Sequence, residues 1–251
     1  MSARAAPAII YHLIHQENAT MGADISIGSA DQQGSFAAYC AEPAARPKAA
    51  IVVIQEIFGI NAGIRSKCDQ WAAAGYLALA PDLFWRLEPG IQLDPDVPEQ
   101  MQRALGLMGR FDQKLGVADI DATIRAARPR LGGGKVGCVG FCLGGRLAFR
   151  TALETSVDAS VCYYGVAIDG LLAGVARLSH PVLLHIPTAD HFVPPAAQQA
   201  MHAGLDGHPL VTLYDYAGLD HGFAAQSGRR RNEQGARLAD GRTAEFFARH
   251  L

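Results

Sequence analysis

Residues Gly140-Phe141-Cys142-Leu143-Gly144 place a cysteine at the centre of a Gly-x-nucleophile-x-Gly pattern. The apolar run ahead of it (Val136, Cys138, Val139) reads as a buried strand. Gly145 and Leu147-Ala148-Phe149 behind it read as the start of a helix. A tight strand-to-helix turn lifts the central side chain clear of the sheet, with glycine wherever a Cβ would collide. The unpaired N–H groups of the helix N-terminus then stabilise a thiolate or an oxyanion. Taken alone, such a cysteine is more often a packed thiol, because cysteine is among the most buried residue types. It reads as chemistry only if an acid and a histidine follow it.

Both do. Asp190 ends Pro187-Thr188-Ala189-Asp190, and His221 lies in Gly218-Leu219-Asp220-His221-Gly222. Each comes just after a strand-like run. The order nucleophile, acid, base is that of the α/β-hydrolases. His221 would take the thiol proton, and Asp190 would fix its tautomer. Singly, Asp190 is a turn or cap residue and His221 a loop histidine. At successive strand ends, the bland explanations weaken together. Glu56 follows the run Ala49–Ile54. A carboxylate there ordinarily bonds a loop, but this loop lies where such enzymes place a second oxyanion donor. The N–H groups of Leu143 and Ile57 would then bracket a carbonyl oxygen. His185 lies mid-strand and reads as a satisfied core histidine. His191 beside Asp190 is one pair, not a metal site. Cys40, Cys68, Cys138 and Cys162 fall in strands or helices and read as structural.

These residues need a scaffold, and the hydrophobic pattern supplies one. Short strand-like runs at Ile9–His15, Ala23–Ile27 and Phe36–Cys40 suit an antiparallel sheet edge. Met1–Pro7 reads as a frayed terminus. Ala49–Ile54 reads as a central parallel strand covered on both faces, and Tyr76–Ala80, the run Val136–Val139 before the elbow, Ala159–Tyr164, Pro181–Ile186 and Pro209–Tyr216 read as further strands. Helices are expected over Ala62–Ala74, capped by Asn61 and ended by Gly75, and over Glu99–Met108 and Val117–Ala127 with a break near Gly116. Gly165–Val175 carries helical content, and helices follow at Ala196–Leu205 and Arg237–Ala248. Alternating strand and helix predict one α/β domain over 1–251, with a mostly parallel sheet and helices on both faces. Ligands then bind at the carboxyl ends of the strands.

Composition excludes several classes. The 251 residues are 49% hydrophobic and 18% charged, which suits a buried globular core. A net charge of −2 without a basic stripe disfavours nucleic acid. The one basic run, Arg229-Arg230-Arg231, reads as a solvated loop. Five irregularly spaced cysteines make no disulfide framework. Neither CxxC nor HExxH occurs, so no metal or cofactor is expected. No secretory leader or membrane-length apolar run is visible, so a cytoplasmic chain, monomeric or weakly homo-oligomeric, is expected.

Beyond this reading, the chain resembles the dienelactone hydrolase (carboxymethylenebutenolidase) family. The matching pieces are QEIFGIN at 55–61, PDLF at 81–84, LDP at 93–95 and KVGCVGFCLGG at 135–145. YYGV at 163–166, DHFVP at 190–194 and GLDHGFA at 218–224 complete the set. The resemblance implies an α/β-hydrolase fold and a Cys142–His221–Asp190 triad. It also implies that Glu56 helps to activate the thiol, and that the substrate is a small ester or lactone. In that family two arginines and a tyrosine hold the substrate's carboxylate. Alignment puts Ala225, Met101 and Leu105 at those positions. Apolar side chains replace a bidentate arginine poorly. A substrate less anionic than dienelactone is therefore expected, with Phe58, Phe192 and Met108 adding to an apolar wall. The alternatives are a relocated arginine (Arg103, Arg110 or the Arg229–Arg231 run) or a non-catalytic binding protein with a reactive thiol.

Overall fold

Ala50–Ile54 is continuously apolar, and each side chain is buried because both faces of its strand are covered. Ala50, Val52 and Ile54 point into one core. Ile51 and Val53 point into the other. The computed structural model describes residues 22–226 and 228–251. In it, this segment is β3 of a sheet built from β1 (Ala23–Gly28), β2 (Ser35–Ala41), β4 (Leu77–Pro81), β5 (Val136–Phe141), β6 (Ala159–Tyr163), β7 (Val182–Pro187) and β8 (Val211–Tyr216). The eight strands lie in the order β1-β2-β4-β3-β5-β6-β7-β8. β1 pairs antiparallel with β2, and β2 antiparallel with β4. All the remaining pairs are parallel. The expected antiparallel edge and parallel centre are both present. Met1–Pro7 and the run Ile9–His15 lie outside the described residues.

The helices divide between the faces. α1 (Ala62–Ala73) and α6 (Glu233–His250) bury Ile64, Cys68, Ala236 and Phe247 against one side. α2 (Pro98–Arg110), α3 (Gln113–Ala127), α4 (Leu143–Glu154) and α5 (Pro195–Leu205) bury Leu107, Ile120, Leu147 and Met201 against the other. Asn61 caps α1, accepting the Ile64 N–H at 3.2 Å. Asn232 caps α6, accepting from Gly235 at 2.9 Å, so α6 begins a turn earlier than the sequence pattern suggests.

The break between α2 and α3 falls at Phe111-Asp112 rather than near Gly116. Asp112 accepts the N–H groups of Lys114 and Leu115 and starts α3 there. Gly116 sits inside the first turn. A Cβ on it would lie 2.3 Å from the Phe111 ring, so glycine there serves packing rather than termination.

Candidate active site

β5 delivers its chain into α4 through Cys142, whose backbone takes φ 55°, ψ −117°. A side chain rarely tolerates that conformation, and the neighbours enforce it. A Cβ on Gly140 would lie 1.9 Å from the Gly144 carbonyl oxygen. One on Gly144 would lie 2.5 Å from the carbonyl oxygens of Ile54 and Gln55. The elbow therefore closes only with glycine on both sides of the cysteine. The Cys142 N–H donates to the Tyr163 carbonyl at 3.1 Å, tying the elbow to the end of β6.

Burial pushes the Cys142 thiol well above its ordinary range, and the negative charge of Glu56 pushes it further. The Leu143 N–H, at the start of α4, acts in the opposite direction. Leu143 and Ile57 are both buried, and the Ile57 N–H donates to no backbone carbonyl among the described residues. The two amides flank the strand ends of β5 and β3.

His221 and Asp190 follow β8 and β7 and are 2% and 4% exposed. His221 Nδ1 lies 2.8 Å from Asp190 Oδ2. The other oxygen of Asp190 accepts the N–H groups of Phe192 and Val193 at 2.8 and 3.2 Å, fixing the carboxylate. His221 Nε2 is buried without a hydrogen-bond partner among the described residues. With Nδ1–H given to Asp190, Nε2 is the free acceptor. Phe192 and Tyr164 stand edge-on to the imidazole, with ring centroids 4.8 and 4.9 Å away.

Glu56 is half-buried just after β3. Burial raises its carboxyl pKa, and the positive fields of His221, Arg230 and Lys67 oppose the rise. Gln55 braces the loop: its Nε2 donates to the Glu56 carbonyl at 3.2 Å, and its Oε1 accepts the Leu83 N–H at 3.1 Å. A cleft of about 60 Å³ adjoins Glu56, lined also by Lys67, Phe141, Tyr164, Ala225 and Gln226. Ala225 thus faces the side of Glu56, as its alignment position suggests.

The structure therefore places Glu56, Ile57, Cys142, Leu143, Asp190, Phe192 and His221 just beyond the carboxyl ends of β3, β5, β7 and β8, with Ala225 beside Glu56. The remaining wall residues stand differently. Phe58 is buried within the core on the α2–α4 side rather than on an open wall. Met101 packs half-buried against that core, and Leu105 and Met108 project from α2 into solvent. His185 accounts for itself in the core, bonded to the Tyr216 hydroxyl at 2.7 Å and the Thr243 hydroxyl at 2.9 Å. Cys40, Cys68, Cys138 and Cys162 are free and buried. His191 Nδ1 pairs with Asp220 at 2.7 Å. Asp190 completes a trio of donor groups there, but its oxygens already serve His221 and the 192–193 backbone.

Three further side chains, to which the sequence reading gives no role of their own, stand at the site. Tyr164, whose buried hydroxyl has no hydrogen-bond partner among the described residues, and Lys67 line the cleft beside Glu56. Arg230 lies over the Phe192 ring. Tyr164 comes directly after β6, so the strand-end rule reaches it. Lys67 is hidden inside α1, and Arg230 inside a basic loop.

A mostly parallel sheet with an elbow after β5, an acid after β7 and a histidine after β8 is the architecture of an α/β-hydrolase. The profile of the dienelactone hydrolase family matches residues 36–251, and the chain belongs to that family. It is 41% identical over 225 residues to a carboxymethylenebutenolidase of Pseudomonas putida, covering 89% of this chain and 95% of that one. Carboxymethylenebutenolidase 1 of Cupriavidus pinatubonensis is 35% identical over 216 residues, covering 86% of this chain and 92% of the relative. A crystal structure from Klebsiella pneumoniae subsp. pneumoniae superposes with a TM-score of 0.77 at 28% identity. It covers 92% of this chain and 99% of that one. The protein is a hydrolase of ester or lactone bonds in small molecules. Among the described residues, no helix is long and apolar enough to cross a membrane.

Proposed function

We propose that the chain hydrolyses its ester or lactone through a thioester on Cys142. The observation that carries this is the strained elbow at Cys142, facing the same strand ends as the buried His221–Asp190 pair. His221 Nε2 takes the thiol proton, and the sulfur attacks the substrate carbonyl carbon. The oxyanion rests on the N–H groups of Leu143 and Ile57. The carbonyl re-forms as the C–O bond breaks, and His221 returns the proton to the departing alkoxide. Water then attacks the thioester with His221 as base, releasing the acid and restoring the thiol. Glu56 assists activation from the end of β3. The enzyme works as a cytoplasmic monomer or weak homo-oligomer and binds no nucleic acid.

Two sequence-based expectations about the substrate compete. Met101, Leu105 and Ala225 argue for one less anionic than dienelactone. A relocated arginine argues for a carboxylated one. The placement of Arg230 over Phe192 favours the second. A purely binding role leaves an acid, a base and a thiol unused.

The test is Cys142→Ala, with turnover of an activated ester followed beside circular dichroism. The expected result is loss of hydrolysis in a folded protein. Near-wild-type hydrolysis would overturn the assignment.

A further inference from the structure

Lys67 is only 6% exposed, and a lysine stays inside a protein only where its charge is answered. It belongs to α1, and its Nζ donates to both oxygens of Asp240 on α6 at 3.2 Å. The ammonium also lies over the Phe141 and Tyr163 rings, with centroids 5.2 and 5.9 Å away. The pairing with Asp240 is lopsided. The Lys67 side chain is 7% exposed and that of Asp240 38%. Water therefore screens the anion, while the field of the cation runs inward through a low-dielectric core. Asp240 Oδ1 is also shared, because it accepts the Tyr163 hydroxyl at 2.9 Å. Lys67 lines the same cleft as Glu56, and Ala225 on its wall offers no charge.

The charged and titratable groups that face Glu56 come from several elements. His221 and Arg230 follow β8, Cys142 follows β5, Tyr164 follows β6, and Lys67 comes from α1. Those that face Lys67 are Asp240, Tyr163, His185 and Glu56. Burial pushes the Glu56 carboxyl towards its neutral form, and the positive charges of His221, Arg230 and Lys67 push back. The His221 charge comes and goes with each proton transfer, and Arg230 is exposed on its loop. Lys67 is the buried and constant cation of the three. Burial aside, the Cys142 thiol feels the charges of Glu56, Asp190 and Arg230. Lys67 therefore reaches the thiol through Glu56.

We propose that Lys67 is a positioning residue for the hydrolysis, whose ammonium, anchored by Asp240, holds Glu56 in its carboxylate form across the shared cleft. This rests on Glu56 acting as a carboxylate on the chemistry of Cys142 and His221. The Lys67–Asp240 pair is then more than a link between α1 and α6, because its buried half sets the charge of a group at the strand ends.

The test follows the Glu56 carboxyl by carbon-13 NMR of glutamate-labelled protein, its signal identified by its loss in Glu56→Gln. Lys67→Met removes the charge and keeps an unbranched apolar stem. It should raise the Glu56 titration midpoint by about 0.5–1 pH unit, and the acid limb of kcat/KM for an activated ester should move up with it. Lys67→Gln, which keeps a donor for Asp240, gives the same reading where the methionine variant does not fold. Asp240→Asn breaks the same α1–α6 ion pair but leaves the cation, so the midpoint should stay or fall. An unmoved midpoint in the Lys67 variants would overturn the proposal. So would an equal rise in Asp240→Asn, which would make the pair a structural link only. In a Glu56→Gln background, Lys67→Met should leave the rate of Cys142 alkylation by iodoacetamide unchanged, and a change there would refute the route through Glu56. Glu56→Gln with wild-type kcat and labelling is a distinct failure, striking the reading of Glu56 itself and the proposal with it.

Discussion

Asp190 and His221 are joined at 2.8 Å in a site where neither side chain is open to solvent. The same carboxylate accepts two backbone N–H groups through its other oxygen. An asparagine at 190 would keep its oxygen on those amides and turn its NH₂ towards His221 Nδ1. The imidazole would then carry its proton on Nε2, the atom that must accept one. Asp190→Asn should therefore fold normally and lose on the order of 10³-fold or more in kcat. Circular dichroism beside steady-state kinetics checks it, and a loss below tenfold would contradict the role.

His185 gives a prediction about stability. Burial holds its pKa down to about 3, against an ordinary 6.5. Between those values the unfolded chain binds a proton that the folded one refuses. Its contribution is therefore complete above pH 6.5 and declines as the pH falls towards 3, by up to about 1.4 kcal/mol per pH unit. His185→Gln should be less stable at pH 7.5, yet lose less on going to pH 5. Urea midpoints at the two pH values measure this, and equal pH slopes in both proteins would refute it.

The strands were legible because burial on two faces leaves an apolar run no other reading, as at Ala50–Ile54. The elbow was legible for a related reason: Gly140 and Gly144 report backbone contacts that no other residue permits. Asp190, His221 and Glu56 were legible as polar residues ending apolar runs. The break at Phe111 was not, because Gly116 looks like a terminator until the Phe111 ring is seen against it. Arg230 was legible only as part of the Arg229–Arg231 run. In sequence it is one of three like charges, and only the fold puts its neighbour Arg231 on Glu233 and leaves Arg230 over Phe192.

Two glycines separate packing from propensity. Gly144 lies against the backbone of Ile54 and Gln55, which belongs to β3 and its end and has no room to retreat. Gly144→Ala should destabilise by about 1–3 kcal/mol and impair hydrolysis. Gly106 is exposed within α2, and a Cβ there meets nothing within 4 Å. Gly106→Ala should stabilise by about 0.5–1 kcal/mol with turnover intact. Chemical denaturation of both variants tests the pair, and the same sign of effect for the two would rule out this account.

Glu56 and Cys142 are coupled, and the coupling has a readable sign. Burial raises the thiol pKa first, and the Glu56 charge raises it further. Burial also raises the Glu56 carboxyl, against the lowering fields of His221, Arg230 and Lys67. Glu56→Gln removes the negative charge and keeps the size of the side chain. The thiolate then forms at lower pH, and iodoacetamide should label Cys142 several-fold faster near neutrality. Turnover should move the opposite way and fall by about tenfold or more, because an amide carries no charge to stabilise the imidazolium that His221 becomes on taking the thiol proton. Faster labelling with slower hydrolysis is the signature of a carboxylate that acts on the thiol. A merely structural glutamate would slow both through misfolding or change neither. Alkylation rates across pH 5 to pH 9, set beside kcat over the same range, decide between them. An unchanged labelling profile with unchanged kcat would return Glu56 to bracing its loop.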